Sequence, residues 1–127
     1  MINTIAAIAA GGAIGALLRH GVNITALKLL GHGFPYGTLT VNILGSFIMG
    51  ALVVTFAHLW QPSEFLRIFL ITGILGAFTT FSTFSLDFAN LFERGEYLGS
   101  TIYLSASLIL SIAALFGGMA MMRGIIS

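Results

Sequence analysis

Charged residues are scarce in this chain, and cysteine is absent. Only 7% of its 127 residues are Asp, Glu, Lys or Arg, whereas 57% are hydrophobic. Soluble domains carry about 25% charged residues, so this composition predicts an integral membrane protein with little mass outside the bilayer. The absence of cysteine excludes disulfides and thiolate metal sites. No basic patch occurs, so nucleic acid is not an expected partner.

The few charges divide the chain into four apolar runs. A helix needs about 20 residues to cross a bilayer, and each run reaches or nearly reaches that length. The runs predict transmembrane helices at 3–29, 36–59, 65–93 and 97–123, within a single domain over 1–127. No basic residues precede the first run, so we expect a retained helix rather than a cleaved signal peptide. With this number of spans, both termini lie on the same side of the membrane.

The basic residues give almost no signal for orientation. Arg67 and Arg123 fall on the side of the termini, and Lys28, Arg94 and Arg19 fall on the other side. The positive-inside rule needs a clear bias between the two sides, and this distribution is nearly balanced. We therefore expect insertion in both orientations. The alternative is a single orientation that a partner fixes.

A polar stretch lies in the middle of the third run. Residues 73–85, G-I-L-G-A-F-T-T-F-S-T-F-S, hold two glycines and five Ser or Thr residues. Glycine costs a helix about 1 kcal/mol relative to alanine, and clustered hydroxyls offer the backbone competing hydrogen bonds. A helix broken there exposes carbonyl and N–H groups in the middle of the membrane, where many ion sites are built. The stretch must face protein or a water-filled path.

Polar residues also occur inside the second and fourth runs. Asn42 needs a hydrogen-bonding partner, so it either ties its helix to a neighbour or donates its NH₂ group to an anion. Tyr103, Ser107 and Ser111 recur at every fourth position, which places three hydroxyls on one helix face. They form a polar track about 12 Å long. The track fits a line of anion donors and ordinary helix packing equally well.

Gly11 and Gly15 form a small-xxx-small pair on the first helix, which permits another helix to approach closely. That helix belongs either to the same chain or to a second copy. Polar groups at mid-membrane depth in so thin a bundle need a further protein wall. We therefore expect self-association.

Three segments together resemble the small fluoride channels called Fluc or CrcB. Residues 11–19 are similar to that family's G-G-x-x-G-A-x-x-R, and residues 37–47 to its G-T-L-x-V-N-x-x-G-S-F. Residues 73–85 are similar to its G-x-x-G-G-x-T-T-F-S-T-F-S, which is the most specific of the motifs. The one departure in that motif is Ala77, where the family usually has glycine. The resemblance covers almost the whole chain.

The resemblance implies an all-α membrane protein with a broken third helix, assembled as an antiparallel dual-topology homodimer with two fluoride pores. It implies pore or fluoride-binding roles for Asn42, Phe81, Phe84, Ser82, Thr83, Tyr103, Ser107, Ser111 and Arg19. It also implies a structural Na⁺ held by backbone carbonyls that map to Gly76 and Thr79. The implied partners are fluoride, lipid and a second copy of the chain, in a bacterial inner membrane.

The chemistry of fluoride agrees with this resemblance. Fluoride is strongly hydrated, so a pore must replace its water with O–H and N–H donors. The ring edges of Phe81 and Phe84 carry partial positive charge and could face an anion. A full cation at the narrowest point would bind fluoride too tightly for fast exit. The alternative for both phenylalanines is ordinary packing in the core or against lipid.

Other functions fit the sequence less well. A small dual-topology proton-coupled multidrug exporter needs a carboxylate inside the membrane, and Asp87 near the end of the third run is the available candidate. A purely structural subunit would not need donors at mid-membrane depth. An enzyme is the least expected function, because no nucleophile, base and acid are grouped and the histidines lie near the membrane boundaries.

Overall fold

Helices make up nearly all of the structure. The computed structural model describes residues 1–126, and it contains no strand in that range. Four segments in this range are long and apolar enough to cross a membrane: Ile2–Leu30, Tyr36–His58, Glu64–Glu93 and Tyr97–Ile126. The four predicted spans are therefore confirmed, and their ends agree closely with the predicted ones. Only Ser127, the last residue of the predicted domain, lies outside the described range.

The third span is not a uniform helix. After α1 (Ile2–Leu30) and α2 (Tyr36–His58), its pieces are α3 (Glu64–Ile68), a π-helix (Phe69–Leu75), α4 (Gly76–Phe78) and α5 (Ser82–Glu93), and α6 (Tyr97–Ile126) follows. Between α4 and α5 the backbone is extended at Thr79, with φ −86° and ψ 157°. Residues 79–81 are called the interruption below. They lie inside the Ser/Thr-rich stretch, whose hydroxyls compete with helical hydrogen bonding.

Two glycines let α1 lie directly against the first half of the third span. A methyl group added at Gly15 would collide with the carbonyl oxygen of Ile74, and one added at Gly11 would come within 2.9 Å of Gly73 Cα. Backbones approach this closely only where no side chain intervenes. The small-xxx-small pair therefore packs within the chain, which is one of the two alternatives that the sequence leaves open.

Helix α2 lies at the centre of the arrangement. It packs extensively on α6, and it also touches α1 and every part of the third span except α3. Close packing on α6 depends on Gly50 and Gly118, because a methyl group at either position would collide with a backbone carbonyl of the other helix. Within the described residues α1 reaches neither α5 nor α6, and α5 packs only on α6 and α2. The interruption is therefore bordered by α2 and α6.

Candidate functional site

A cavity of about 240 Å³, lined by both polar and apolar side chains, lies where the interruption faces α2 and α6. Side chains from separate parts of the chain meet in it. The predicted pore residues in its lining are Asn42, Phe81, Phe84, Ser107 and Ser111. The other residues in its lining are Ser46, Thr79, Thr80, Leu108 and Ile112. We call this space the central cavity.

Asn42 uses its side-chain amide to hold the backbone of Thr80. Asn42 Nδ2 donates to Thr80 O at 3.0 Å, and Thr80 N donates to Asn42 Oδ1 at 2.8 Å. In a continuous α-helix, the N–H of residue 80 would instead donate to the carbonyl of Gly76. The Asn42 amide thus links α2 to a neighbouring segment by hydrogen bonds, as one of the two predicted alternatives has it. One N–H of the amide remains available to the cavity. Donation from Asn42 to an anion stays a prediction.

Most hydroxyls around the interruption bond to the local backbone. Thr79 and Ser85 each donate to the carbonyl one turn earlier, at 2.9 and 3.1 Å. Thr80 Oγ1 accepts from Thr83 N at 3.2 Å, which satisfies an N–H group in the first turn of α5, and it lies 3.4 Å from Ser82 Oγ. Ser82 and Thr83, both predicted pore residues, lie outside the lining of the central cavity. In this chain, therefore, neither residue contributes to the lining of the central cavity.

The two predicted pore phenylalanines occupy different environments. Phe84 is 6% exposed, whereas Phe81 is 74% exposed. Their ring centroids are 5.5 Å apart, and the Phe84 ring lies 5.3 Å from that of Tyr103. Phe84 is therefore part of the packed core. The Phe81 ring is largely exposed, so a ligand in the cavity or a second protein chain could contact it.

The hydroxyls of Ser107 and Ser111 are buried, and neither has a hydrogen-bonding partner among residues 1–126. Serines in membrane helices usually bond back to their own helix, as Ser100 does to the carbonyl of Tyr97 at 3.0 Å. A buried polar group without a partner costs about 1–3 kcal/mol. Two such groups in the lining of one cavity indicate a polar occupant.

Tyr103, the third member of the predicted track, has a partner within the chain. It is fully buried, and its hydroxyl donates to Asp87 Oδ2 at 3.1 Å. Asp87 and Thr83 line a second cavity of about 280 Å³, near the loop between α1 and α2. The Tyr103 ring contacts Phe84 of the central cavity and, at 5.5 Å, Phe34 of the second cavity. Tyr103 therefore lies between the two cavities.

Arg19 is the one predicted pore residue on α1, where it is half-buried. It lines neither of the two cavities, and α1 does not reach α5 or α6 in the part of the chain that is described. The structure of the single chain does not bring Arg19 to the other predicted pore residues. Its role near a pore entrance stays a prediction.

The carbonyls predicted to hold Na⁺ belong to the edge of the interruption. Because Thr80 N donates to Asn42, the carbonyl of Gly76 lacks its usual α-helical partner, and the extended Thr79 turns its own carbonyl out of the helix. Ala77 lies within α4, and positive φ angles among residues 1–126 occur only at Gly31 and Gly95. Alanine at position 77 is therefore unstrained. Freed carbonyl oxygens suit a hard cation such as Na⁺, so the residues fit this ion.

The sequence does not identify Thr80 as a site residue, although Thr80 contacts α2 and α5 and lines the central cavity. The sequence shows it only as one hydroxyl among several in residues 73–85. The link between Tyr103 and Asp87 was also missed. Its only signal is the presence of a carboxylate and a tyrosine in neighbouring predicted spans.

The fold and the site define a small helical membrane protein with a polar cavity at an interrupted span. Comparison with known sequences identifies the family. The family described as "CrcB-like protein, Camphor Resistance (CrcB)" matches residues 6–119. The chain therefore belongs to the CrcB family.

Individual relatives match over nearly their whole length. The chain is 52% identical over 125 residues to the "Fluoride-specific ion channel FluC" of Agrobacterium fabrum, a match that covers 98% of this chain and 99% of that protein. It is 50% identical over 119 residues to the protein of the same name from Rhizobium etli, covering 94% of this chain and 95% of that protein. Each match thus covers at least 94% of both proteins.

Proposed function

We propose that this protein is a passive fluoride channel of the bacterial inner membrane and that the anion passes through the central cavity. One observation carries the proposal. The buried hydroxyls of Ser107 and Ser111 have no partner in the described chain and line the same cavity as Phe81 and Phe84. The names of the relatives, "Fluoride-specific ion channel FluC", support fluoride as the anion.

The lining of the cavity suits a small, strongly hydrated anion. The two serine hydroxyls and the remaining N–H of Asn42 can replace water molecules around fluoride. The edges of the phenylalanine rings add partial positive charge. No Lys or Arg of residues 1–126 lines the cavity, so no fully charged side chain there retains the ion.

A passive channel is sufficient for fluoride resistance. Fluoride enters cells as neutral HF from acidic surroundings and is trapped as the ion at neutral pH. An inside-negative membrane potential then drives the anion outward with about 2.3 kcal/mol per charge for each 100 mV. The transport therefore needs no energy source beyond this potential.

The interruption makes the third span a broken helix in this proposal. Its freed carbonyls at Gly76 and Thr79 hold a structural Na⁺, and the diverted N–H of Thr80 supports this assignment. When bound, the ion supplies a fixed positive charge that several carbonyl oxygens share. The chain itself contributes the backbone conformation that turns those oxygens away from the helix.

The functional unit in this proposal is an antiparallel dual-topology homodimer. The basic residues are nearly balanced between the two sides of the membrane, which favours insertion in both orientations. Phe81 is 74% exposed beside a cavity lined by hydroxyl and amide groups. Contact with lipid would leave these hydroxyl and amide groups without hydrogen-bonding partners. A second copy of the chain would shield the cavity from lipid.

A measurement of fluoride distribution against membrane potential tests the proposal. Liposomes with the reconstituted protein are given a K⁺ diffusion potential with valinomycin, and fluoride is followed with a selective electrode. A channel lets the fluoride concentration ratio change tenfold for each 59 mV or so. For a channel, an imposed pH gradient leaves the fluoride concentration ratio unchanged, once the HF leak measured in protein-free liposomes is subtracted. Accumulation driven by the pH gradient would instead show the proton-coupled exporter.

A further inference from the structure

The amide of Asn42 and the backbone of Thr80 form a closed pair of hydrogen bonds between α2 and the interruption. We propose that Asn42 is a positioning residue, which fixes the interruption and keeps the carbonyl of Thr80 from facing the anion. This inference deepens the proposed fluoride channel and rests on it. It assigns Asn42 a role through Thr80, separate from any contact of Asn42 with fluoride.

The geometry shows that the amide recognises one residue at both of its polar backbone groups. The donor and acceptor of the amide lie 3.0 and 2.8 Å from their partners, and both partners belong to Thr80. Two bonds to one residue fix its orientation as well as its distance. They also replace the helical bond to Gly76, so the same pair prevents α4 from continuing.

Thr80 passes this constraint on to α5. Its Oγ1 accepts the hydrogen bond from Thr83 N, so its side chain satisfies an N–H group in the first turn of α5. Its backbone is thus held by α2, and its side chain holds the start of α5. The positions of Phe81 and Phe84 depend on that start, because both rings belong to the first turns after Thr80.

Helix α2 is a rigid support for the pair. Val41, next to Asn42, is fully buried. Gly45, one turn further along α2, packs so closely on Thr79 that an added methyl group would collide with the threonine methyl. The interruption therefore rests on α2 at two adjacent points, and Asn42 supplies the hydrogen-bonded one.

The pair also changes the electrostatics of the central cavity. Thr80 and Asn42 both line it, and an unpaired carbonyl oxygen there would repel an anion. A hydrogen bond from Asn42 Nδ2 partly neutralises that oxygen while the second N–H of the amide stays available. Loss of Asn42 should thus affect conduction even where fluoride itself never touches the amide.

The test compares N42L, N42D and T55V with the unaltered protein. Leucine has a similar size and removes both hydrogen bonds, whereas aspartate keeps an acceptor for Thr80 N. T55V removes a hydrogen bond of 2.7 Å from Thr55 to Ala51 elsewhere on α2 and serves as the matched control. Amide hydrogen exchange is measured residue by residue by NMR, and fluoride efflux is measured over a range of fluoride concentrations.

We expect N42L to speed exchange at the Thr80 amide at least tenfold, with the Thr79 amide unchanged. N42D and T55V should leave the Thr80 amide protected. N42L should lower the maximal efflux even at saturating fluoride, since misplaced rings slow passage at every concentration. N42D should lower efflux at neutral pH and recover it on acidification, because a protonated carboxyl can again donate to Thr80 O.

Three results would overturn the inference: unchanged exchange at Thr80 in N42L, increased exchange with unaltered efflux, or an efflux defect that saturating fluoride abolishes. The last would make Asn42 a simple anion ligand. Failure of the proposed function is distinguishable, because it appears as absent efflux in the unaltered protein. The exchange rates remain informative in that case.

Discussion

The hydroxyl of Tyr103 donates to Asp87 Oδ2 at 3.1 Å, and this bond joins α6 to α5 between the two cavities. Tyr103 is fully buried, so its hydroxyl needs a hydrogen-bonding partner inside the protein, and Asp87 supplies an acceptor. The bond gives the Asp87 carboxylate, which lies inside the third span, a structural role. Proton-coupled transport by Asp87 would require that the carboxylate leave this partner in each cycle.

Asp87→Asn should preserve transport, because the amide oxygen still accepts from Tyr103. We expect passive fluoride efflux within about threefold of the unaltered protein, which corresponds to less than 1 kcal/mol in barrier height. Liposome efflux measurements check this. Complete loss of transport in the variant would favour the exporter.

Asp87→Leu should destabilise the protein, because the buried Tyr103 hydroxyl then loses its carboxylate acceptor. The expected loss in free energy of unfolding is about 1–3 kcal/mol. Unfolding by denaturant in detergent micelles measures it. The double variant with Tyr103→Phe should regain part of the loss, and no recovery would show that the bond carries little of the effect.

Ser107→Ala and Ser111→Ala should reduce fluoride efflux without destabilising the fold. Neither hydroxyl has a partner among the described residues, so its removal breaks no bond in the chain. We expect efflux to fall about tenfold for each variant, which corresponds to roughly 1.4 kcal/mol in barrier height. Ser100→Ala is the control, since it removes a bond to the backbone on the same helix and Ser100 does not line the cavity. Unchanged efflux in both serine variants would contradict the polar path.

Gly15→Ala should weaken the packing of α1 on the third span, because its methyl group would collide with the carbonyl of Ile74. Overpacking of this kind costs about 1–3 kcal/mol, which a denaturant titration measures. Gly12→Ala is the matched control on the same helix, since no other helix among residues 1–126 lies within 4 Å of the added methyl group. Equal stability of the two variants would contradict the close approach.

Phe84→Ala and Phe81→Ile should separate stability from conduction. Phe84 is buried between Phe81 and Tyr103, so its truncation should cost about 3–5 kcal/mol of unfolding free energy. Phe81→Ile alters a ring that is largely exposed and should leave stability nearly unchanged. Comparable destabilisation by both variants would contradict the different environments of the two rings.

The spans could be predicted from the sequence because a bilayer demands about 20 apolar residues for each crossing. Helical periodicity likewise placed Ser107 and Ser111 on one face, and the structure finds both in one cavity. In each case a local pattern determines the outcome. The predictions needed no knowledge of which helices are neighbours.

The contacts of Asn42 and of the glycines could not be predicted in this way. Asn42 bonds to a residue 38 positions away, and an amide in an apolar run specifies only that a partner exists. Gly11 and Gly15 permit close approach by any helix, so their pattern cannot tell the same chain from a second copy. Which hydroxyls bond to their own backbone depends on side-chain rotamers, which the sequence does not specify.

The most direct test of the fluoride pathway is efflux from liposomes loaded with potassium fluoride, compared between the unaltered protein and Phe81→Ile. Valinomycin balances the charge, and chloride-loaded liposomes run in parallel. The proposal predicts rapid fluoride loss without chloride loss, and at least tenfold slower fluoride loss in the variant at equal protein content. Equal fluoride efflux in both proteins, or none from the unaltered protein, would contradict conduction along the central cavity.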